Sequence, residues 1–141
     1  MSNVERLESH MIQLGLRFEA VGADTWVLFP ETALRAPIGC KLEEPIVLFS
    51  VQLFEMSPDL RDREGLFRCL LELNSELFHS SYGLEDDRVV LSAAHAAGTL
   101  DFEEFQAMID DMCMALDNHS EKLLPWAGDG RDAAANDEGS T

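Results

Sequence analysis

The sequence holds little that would staple, anchor or catalyse. It has three cysteines, Cys40, Cys69 and Cys113, an odd set with no C-x-x-C pair, each inside an apolar segment. Such thiols read as reduced, buried small hydrophobes, which argues against a disulfide framework or a zinc ribbon. Basic residues are scarce: 10 Lys and Arg stand against 27 Asp and Glu, for a net charge of −17. A surface this negative repels phosphate backbones and anionic lipid, so neither nucleic acid nor a membrane surface is an expected partner. The same charge suits a neutral or basic protein segment, and it also serves solubility. No apolar run approaches the ~20 residues of a membrane-spanning helix. The opening residues MSNVERLE lack the basic start and apolar stretch of a secretory signal, so the cytoplasm is the expected compartment.

Sequence-readable catalytic machinery is missing as well. There is no Ser-nucleophile elbow, no P-loop and no dinucleotide glycine fingerprint. Asp59, Asp62, Glu64 and Gly65 have the flavour of a calcium loop, but Arg61 and Arg63 fall where ligands belong and the glycine comes one residue late. Asp86 and Asp87 are ordinary turn formers. Cys69 and Cys113 lie among apolar helix residues with no base beside them, which is no setting for a nucleophile. The histidines, His10, His79, His95 and His119, are expected at the surface or rim, with His79 and His95 on opposite faces of a hairpin. No metal, no cofactor and no reaction are therefore expected.

What is present is a core. With 141 residues and 46% apolar content the chain can close one domain, expected over residues 1–124. Residues 125–141, PWAGDGRDAAANDEGST, show no apolar periodicity and carry four acids and one arginine, as expected of a disordered acidic tail. Val4, Leu7, Met11, Leu14 and Phe18 recur at helical spacing and predict a helix from Val4 to Ala20, with Ser2 and Glu5 as a capping box and Gly22 as its stop. Thr25 to Phe29, and more weakly Ile38 to Leu42, read as strands. In Ile46 to Phe54 the side chains Val47, Phe49, Val51 and Leu53 alternate with Ile46, Leu48, Ser50 and Gln52, so one face is core and the other only half polar. Ser57-Pro58 then starts a helix over Leu60 to Phe78. Ser81 to Leu84 and Val89 to Ala93 flank a four-residue hairpin loop. Asp101, with Glu104 three residues on and Leu100 and Phe105 as a staple, opens the last helix, whose stripe is Phe102, Phe105, Met108, Ile109, Met112 and Leu116, with Asp110 and Asp111 toward water.

The fold class is thus α+β: an antiparallel sheet of four to five strands with three helices. Three segments could receive a partner. One is the half-polar strand face, one is the Met-rich stripe of the last helix, and one is the helix after Pro58, whose apolar arc is too wide for a single neighbour. That helix is covered either wholly within its own fold or partly by a second subunit.

Within Leu66 to Leu116 the run LFRCLLELNSELFHSSYGLEDDRVVLSAAHAAGTLDFEEFQAMIDDM, with its Leu-rich helix, Gly-Leu hairpin and Leu-Asp-x-x-x-Phe helix start, resembles the type III secretion chaperone-like superfamily, especially its YbjN-like branch. The resemblance implies a helix-covered antiparallel sheet, a homodimer, and a non-enzymatic module that holds an extended segment of a partner protein. Read together with the strand pattern, it directs attention to Trp26, Leu28, Ile46, Leu48 and Ser50 for partner contact. For self-association it points to Leu66, Leu70 and Leu73. A small-ligand sensor or enzyme-associated subunit with an apolar pocket is the alternative.

Overall fold

In the computed structural model the described residues are 2–32 and 36–139, with side chains described as far as residue 127. The first helix, α1 (Asn3–Leu14), begins at the expected pair with Ser2 as N-cap: Glu5 N donates to Ser2 Oγ at 3.1 Å, and Ser2 Oγ donates to Glu5 Oε1 at 3.1 Å in place of the backbone bond of a full capping box. It stops six residues short of the expected Ala20. Gly15 takes φ +82° and turns its N–H back onto the Met11 and Ile12 carbonyls, a left-handed end that glycine adopts without strain. The freed segment becomes β1 (Arg17–Gly22), hairpinned onto β2 (Thr25–Phe29) with Arg17 opposite Phe29 and Ala20 opposite Trp26. This strand raises the count to six.

The remaining elements are β3 (Ile38–Glu43), β4 (Ile46–Glu55), α2 (Arg63–Asn74), β5 (Ser81–Glu85), β6 (Arg88–Ala96), a 3-10 turn (Ala97–Thr99) and α3 (Phe102–Gly139). Helix α2 starts later than Ser57-Pro58 suggests, because Asp62 supplies the cap by accepting from Gly65 N at 3.1 Å. The β5–β6 turn is tighter than a four-residue loop. Glu85 pairs with Arg88, leaving Asp86 and Asp87 at the tip with Asp86 at φ +54°, a conformation Asp tolerates. Helix α3 opens at Asp101, whose Oδ1 accepts from Glu104 N at 2.8 Å.

All pairings are antiparallel, in the order β1-β2-β3-β4-β6-β5. One face is buried. Trp26, Leu28, Ile38, Cys40, Val47, Phe49, Val51 and Leu91 meet Met11 from α1, Leu66 from α2, and Phe105, Met108 and Met112 from α3. At the centre the Phe49 and Phe105 rings stand edge to face at 5.8 Å. Burial of one such side chain is worth about 1.5–3 kcal/mol, so this layer carries most of the fold's stability.

The core reaches past residue 124. Leu123 and Ala127 are buried, and Trp126 donates its indole N–H to Asp62 O at 3.0 Å, tying α3 to the start of α2 across Pro125. The side chains of the remainder of the expected tail lie outside the described residues. No helix of the described residues is long and apolar enough to cross a membrane.

Candidate partner-binding surface

The sheet has two unlike faces. The helices cover one, and the other carries no helix among the described residues, although Val90 of β6 on that side is 3% exposed and the α2–β5 connection borders it. Strand alternation places Val27 and Phe29 of β2, Gly39 and Lys41 of β3, Ile46, Leu48 and Ser50 of β4, and Ser92 and Ala94 of β6 on that bare face. Ile46 and Leu48 are each 37% exposed, while Val47 and Phe49 between and beside them are fully buried.

Of the five residues expected to contact a partner, Ile46, Leu48 and Ser50 lie together on the bare face. Trp26 and Leu28 do not. They are 1% and 0% exposed and point into the helix-covered core, with Trp26 Nε1 donating to Glu8 Oε2 at 3.2 Å. The strand is apolar on both sides, and α1 settles which side turns inward. The three leucines expected in self-association are likewise core: Leu66, Leu70 and Leu73 form the i, i+4, i+7 stripe that α2 turns to its own sheet and α3. Its outward apolar residues are Phe67 and Leu71, the latter 71% exposed. The histidines divide as well, since His10 and His119 are buried.

A groove of about 630 Å³ crosses the bare face. Small residues, Gly39, Ser50 and Ser92, line it beneath the larger Leu48, Lys41 and Phe78. Phe78 is 89% exposed and belongs to the α2–β5 connection. That connection is fixed from the far side of the sheet edge by Asp111 of α3, a buried carboxylate that sequence reading places toward water. Its Oδ2 accepts from His79 N at 3.2 Å, Ser80 N at 3.1 Å and Ser80 Oγ at 2.7 Å, and its Oδ1 from Phe78 N at 3.5 Å. One carboxylate thus accepts from four donors of the connection, so the exposed Phe78 sits on a hydrogen-bonded base.

Beside it, the ring of His119 has Nε2 3.7 Å from Glu76 Oε1 and Nδ1 2.8 Å from the Tyr82 hydroxyl. With its proton on Nε2 the neutral ring accepts from Tyr82 at Nδ1. Burial lowers the His119 pKa, with Glu76 pulling the other way. Burial raises that of Tyr82. It also pushes Cys40 to about 12 and Cys113 to about 11, so both thiols are protonated at neutral pH and poor nucleophiles. Among the described residues, no three His, Cys, Asp or Glu side chains converge as a metal site needs.

A six-stranded antiparallel sheet with three helices on one face and a bare, partly apolar opposite face defines the class. Residues 1–129 match the CesT_Tir_1 family model, and the chain belongs to that type III secretion chaperone family. Its fold is shared with YbjN from E. coli, at 16% identity and TM-score 0.60 over 84% of this chain and 91% of that one. It is shared too with the heterodimeric ExoU-SpcU complex of the Pseudomonas aeruginosa type III secretion system, at 23% identity and TM-score 0.60 over 85% and 96%. The Yersinia pestis type III secretion chaperone SycH, solved in complex with a stable fragment of YscM2, aligns at 14% identity and TM-score 0.56 over 82% and 100%. No curated protein matches the chain in sequence.

Proposed function

We propose that this chain is a non-enzymatic, cytoplasmic chaperone-like module that holds an extended segment of a partner protein against the bare face of its sheet. The observation that carries this reading is the alternation along β4: Ile46 and Leu48 remain exposed in a row while their neighbours are sealed by helices. Exposed apolar residues contiguous with a groove mark interaction sites more often than scattered ones do. Family membership and the complexes formed by ExoU-SpcU and by SycH with YscM2 support the same reading. Ile46, Leu48 and Ser50 are the contact residues on this reading, with Phe78 as a fixed aromatic rim. Self-association as a homodimer would use the outward side of α2, Phe67 and Leu71, in place of the buried leucine stripe.

The test is capture of tagged protein from the lysate of its own host, in parallel with Leu48→Asp. A stoichiometric partner retained by the native chain and lost from the variant is the expected result; a partner retained equally by both removes the bare face from the account. The groove volume also falls within the range of small-molecule sites, which favours a ligand sensor as the second reading. That reading requires reproducible thermal stabilisation by a metabolite, abolished when the groove is filled by Gly39→Leu.

A further inference from the structure

Strand pairing aligns one residue from every strand across the bare face. Glu19 stands opposite Val27, Val27 opposite Gly39, Gly39 opposite Ser50, Ser50 opposite Ser92 and Ser92 opposite Ser81. Neighbouring strands lie about 4.8 Å apart, so the row runs roughly 24 Å at right angles to the strands. Its middle is low. Gly39 has no side chain and the three serines have only a hydroxyl beyond Cβ, whereas Lys41 and Leu48 stand in the adjoining row on one side and Gln52 on the other. The 630 Å³ groove is the central part of this trough, and Phe78 stands at its Ser81 end.

The chemistry of this floor is unlike that of a strand edge. β2, β3, β4 and β6 each have a neighbour on both sides, so their ladder N–H and C=O groups are used within the sheet. A segment lying over them finds no backbone partner. It finds the hydroxyls of Ser50, Ser92 and Ser81, none of which bonds another side chain or backbone group among the described residues. A hydroxyl both donates and accepts, as a peptide group requires. Charge lies only at the margins. Lys41 beside the trough is paired with Glu43 at 3.0 Å, while Glu19 at the far end is exposed and in no ion pair among the described residues. Its neighbour on that face, Arg17, is stacked on Phe29 at 4.2 Å.

We infer that the partner segment crosses the strands along this row, its backbone bonded by the serine hydroxyls, with a flat ring against Phe78 at one end and a basic side chain at Glu19 at the other. This rests on the binding-module reading and names the chemistry by which the bare face selects its segment. An extended chain advances about 3.3 Å per residue, so about seven residues fill the row. The side chains that point down onto Gly39 and the serines are small and uncharged, because the trough offers them neither depth nor a free counter-charge. The ring is that of a proline or an aromatic residue, either of which packs on an exposed phenyl face. An acidic segment, or a second copy of this chain, is disfavoured by the net charge of −17.

The experiment selects peptides from a displayed random library on the full chain and measures the tightest of them on single-site variants. The expected consensus has a ring at one end, a basic residue at the other and uncharged residues between. Ser50→Ala and Ser92→Ala each remove one hydroxyl from a half-buried position and should weaken the peptide about three- to tenfold, as one lost hydrogen bond does. Glu19→Lys should weaken it about threefold, the scale of an exposed ion pair. Gly39→Leu should abolish binding; a Cβ at Gly39 meets only Ser50, at 3.6 Å, so the added side chain fills the trough without a clash. Backbone amide exchange in 17–22 and 81–85 should not change on binding, because neither edge strand is paired. Binding lost in Leu48→Asp but untouched by the serine and Gly39 variants overturns the crossing row and keeps the binding module. Slowed exchange in an edge strand, with the serine variants unaffected, overturns it in favour of strand pairing. If no selected peptide binds saturably, the binding-module reading fails and the crossing row with it.

Discussion

Along β4 the chain writes two surfaces at once. Val47, Phe49 and Val51 face the helices and are fully closed off, while Ile46, Leu48 and Ser50 face outward with no helix over them. The two rows differ little in composition, since each carries large aliphatic residues. What separates them is their neighbours. Opposite Phe49 stands Phe105, and behind it Met108 and Met112; across from Leu48 on β3 and β6 stand only Lys41 and Ala94. Hydrophobicity on a strand therefore marks a surface to be covered, and whether the cover is intramolecular is a property of the rest of the fold.

That comparison is broken most severely on its covered side. Phe49→Ala removes a fully buried ring that three elements enclose and should cost about 3–5 kcal/mol of stability, because the site cannot collapse around a void. Urea unfolding of the native and variant chains measures it. A loss under about 1 kcal/mol would mean that the helix layer is loosely packed and that the two faces are less distinct than their exposures indicate.

Next in size is the anchor joining the layers. Asp111→Ala strands the amide groups of His79 and Ser80 and the Ser80 hydroxyl, a deficit worth about 2–3 kcal/mol once these donors lose their shared acceptor. Amide exchange in residues 78–80 should accelerate more than exchange in β4. Equal acceleration everywhere would show that Asp111 supports the fold globally and does not specifically fix the groove rim.

Much of this architecture is legible in the sequence because local chemistry writes it. Ser2 with Glu5, Asp101 with Glu104, the alternation of β4 and the pairing of Leu84 with Val89 need only neighbours in the chain. What escapes is set by distant partners. Phe18 falls on the helical repeat by coincidence, and only Gly15's left-handed turn and pairing with Leu28 make its segment a strand. Trp26 and Val27 are equally plausible inward residues until α1 places Glu8 beside the indole. Leu70 and Leu71 are indistinguishable until α3 and the sheet occupy one side of α2. Asp111 looks like a solvated acid because the amides it binds lie more than 30 residues earlier. The same limit divided the candidate surface: β4 was readable from its alternation, whereas β2 and α2, apolar on both sides, were not.

A smaller effect comes with pH at the junction of α2, β5 and α3. The native His119 pKa lies below its ordinary value of 6.5, so between those two values the unfolded chain binds a proton that the native chain does not. Its contribution to stability is fully present above pH 6.5 and is lost as pH falls toward the native pKa. Glu76 softens the loss by favouring the charged ring, while Lys122 nearby opposes it. Unfolding midpoints across this window should decline for the native chain and decline less for His119→Gln. Identical slopes would show that Tyr82 and Glu76 accommodate the imidazolium without cost.

The least effect on stability belongs to the bare face, and it is the most informative. Leu48→Asp changes a residue with more than a third of its surface in water, on a strand whose fold-determining contacts are all behind it. Its unfolding free energy should stay within about 0.5 kcal/mol of the native value, as for surface substitutions generally. Leu71→Asp on α2 should behave alike, since the helix is held by Leu66, Leu70 and Leu73. On the proposed function, Leu48 is a residue that the fold does not need, and its aliphatic chain beside the groove is what a partner segment would contact. If Leu48→Asp instead destabilises by several kcal/mol, Leu48 is part of the core, and the distinction between the two rows of β4 no longer separates folding from binding.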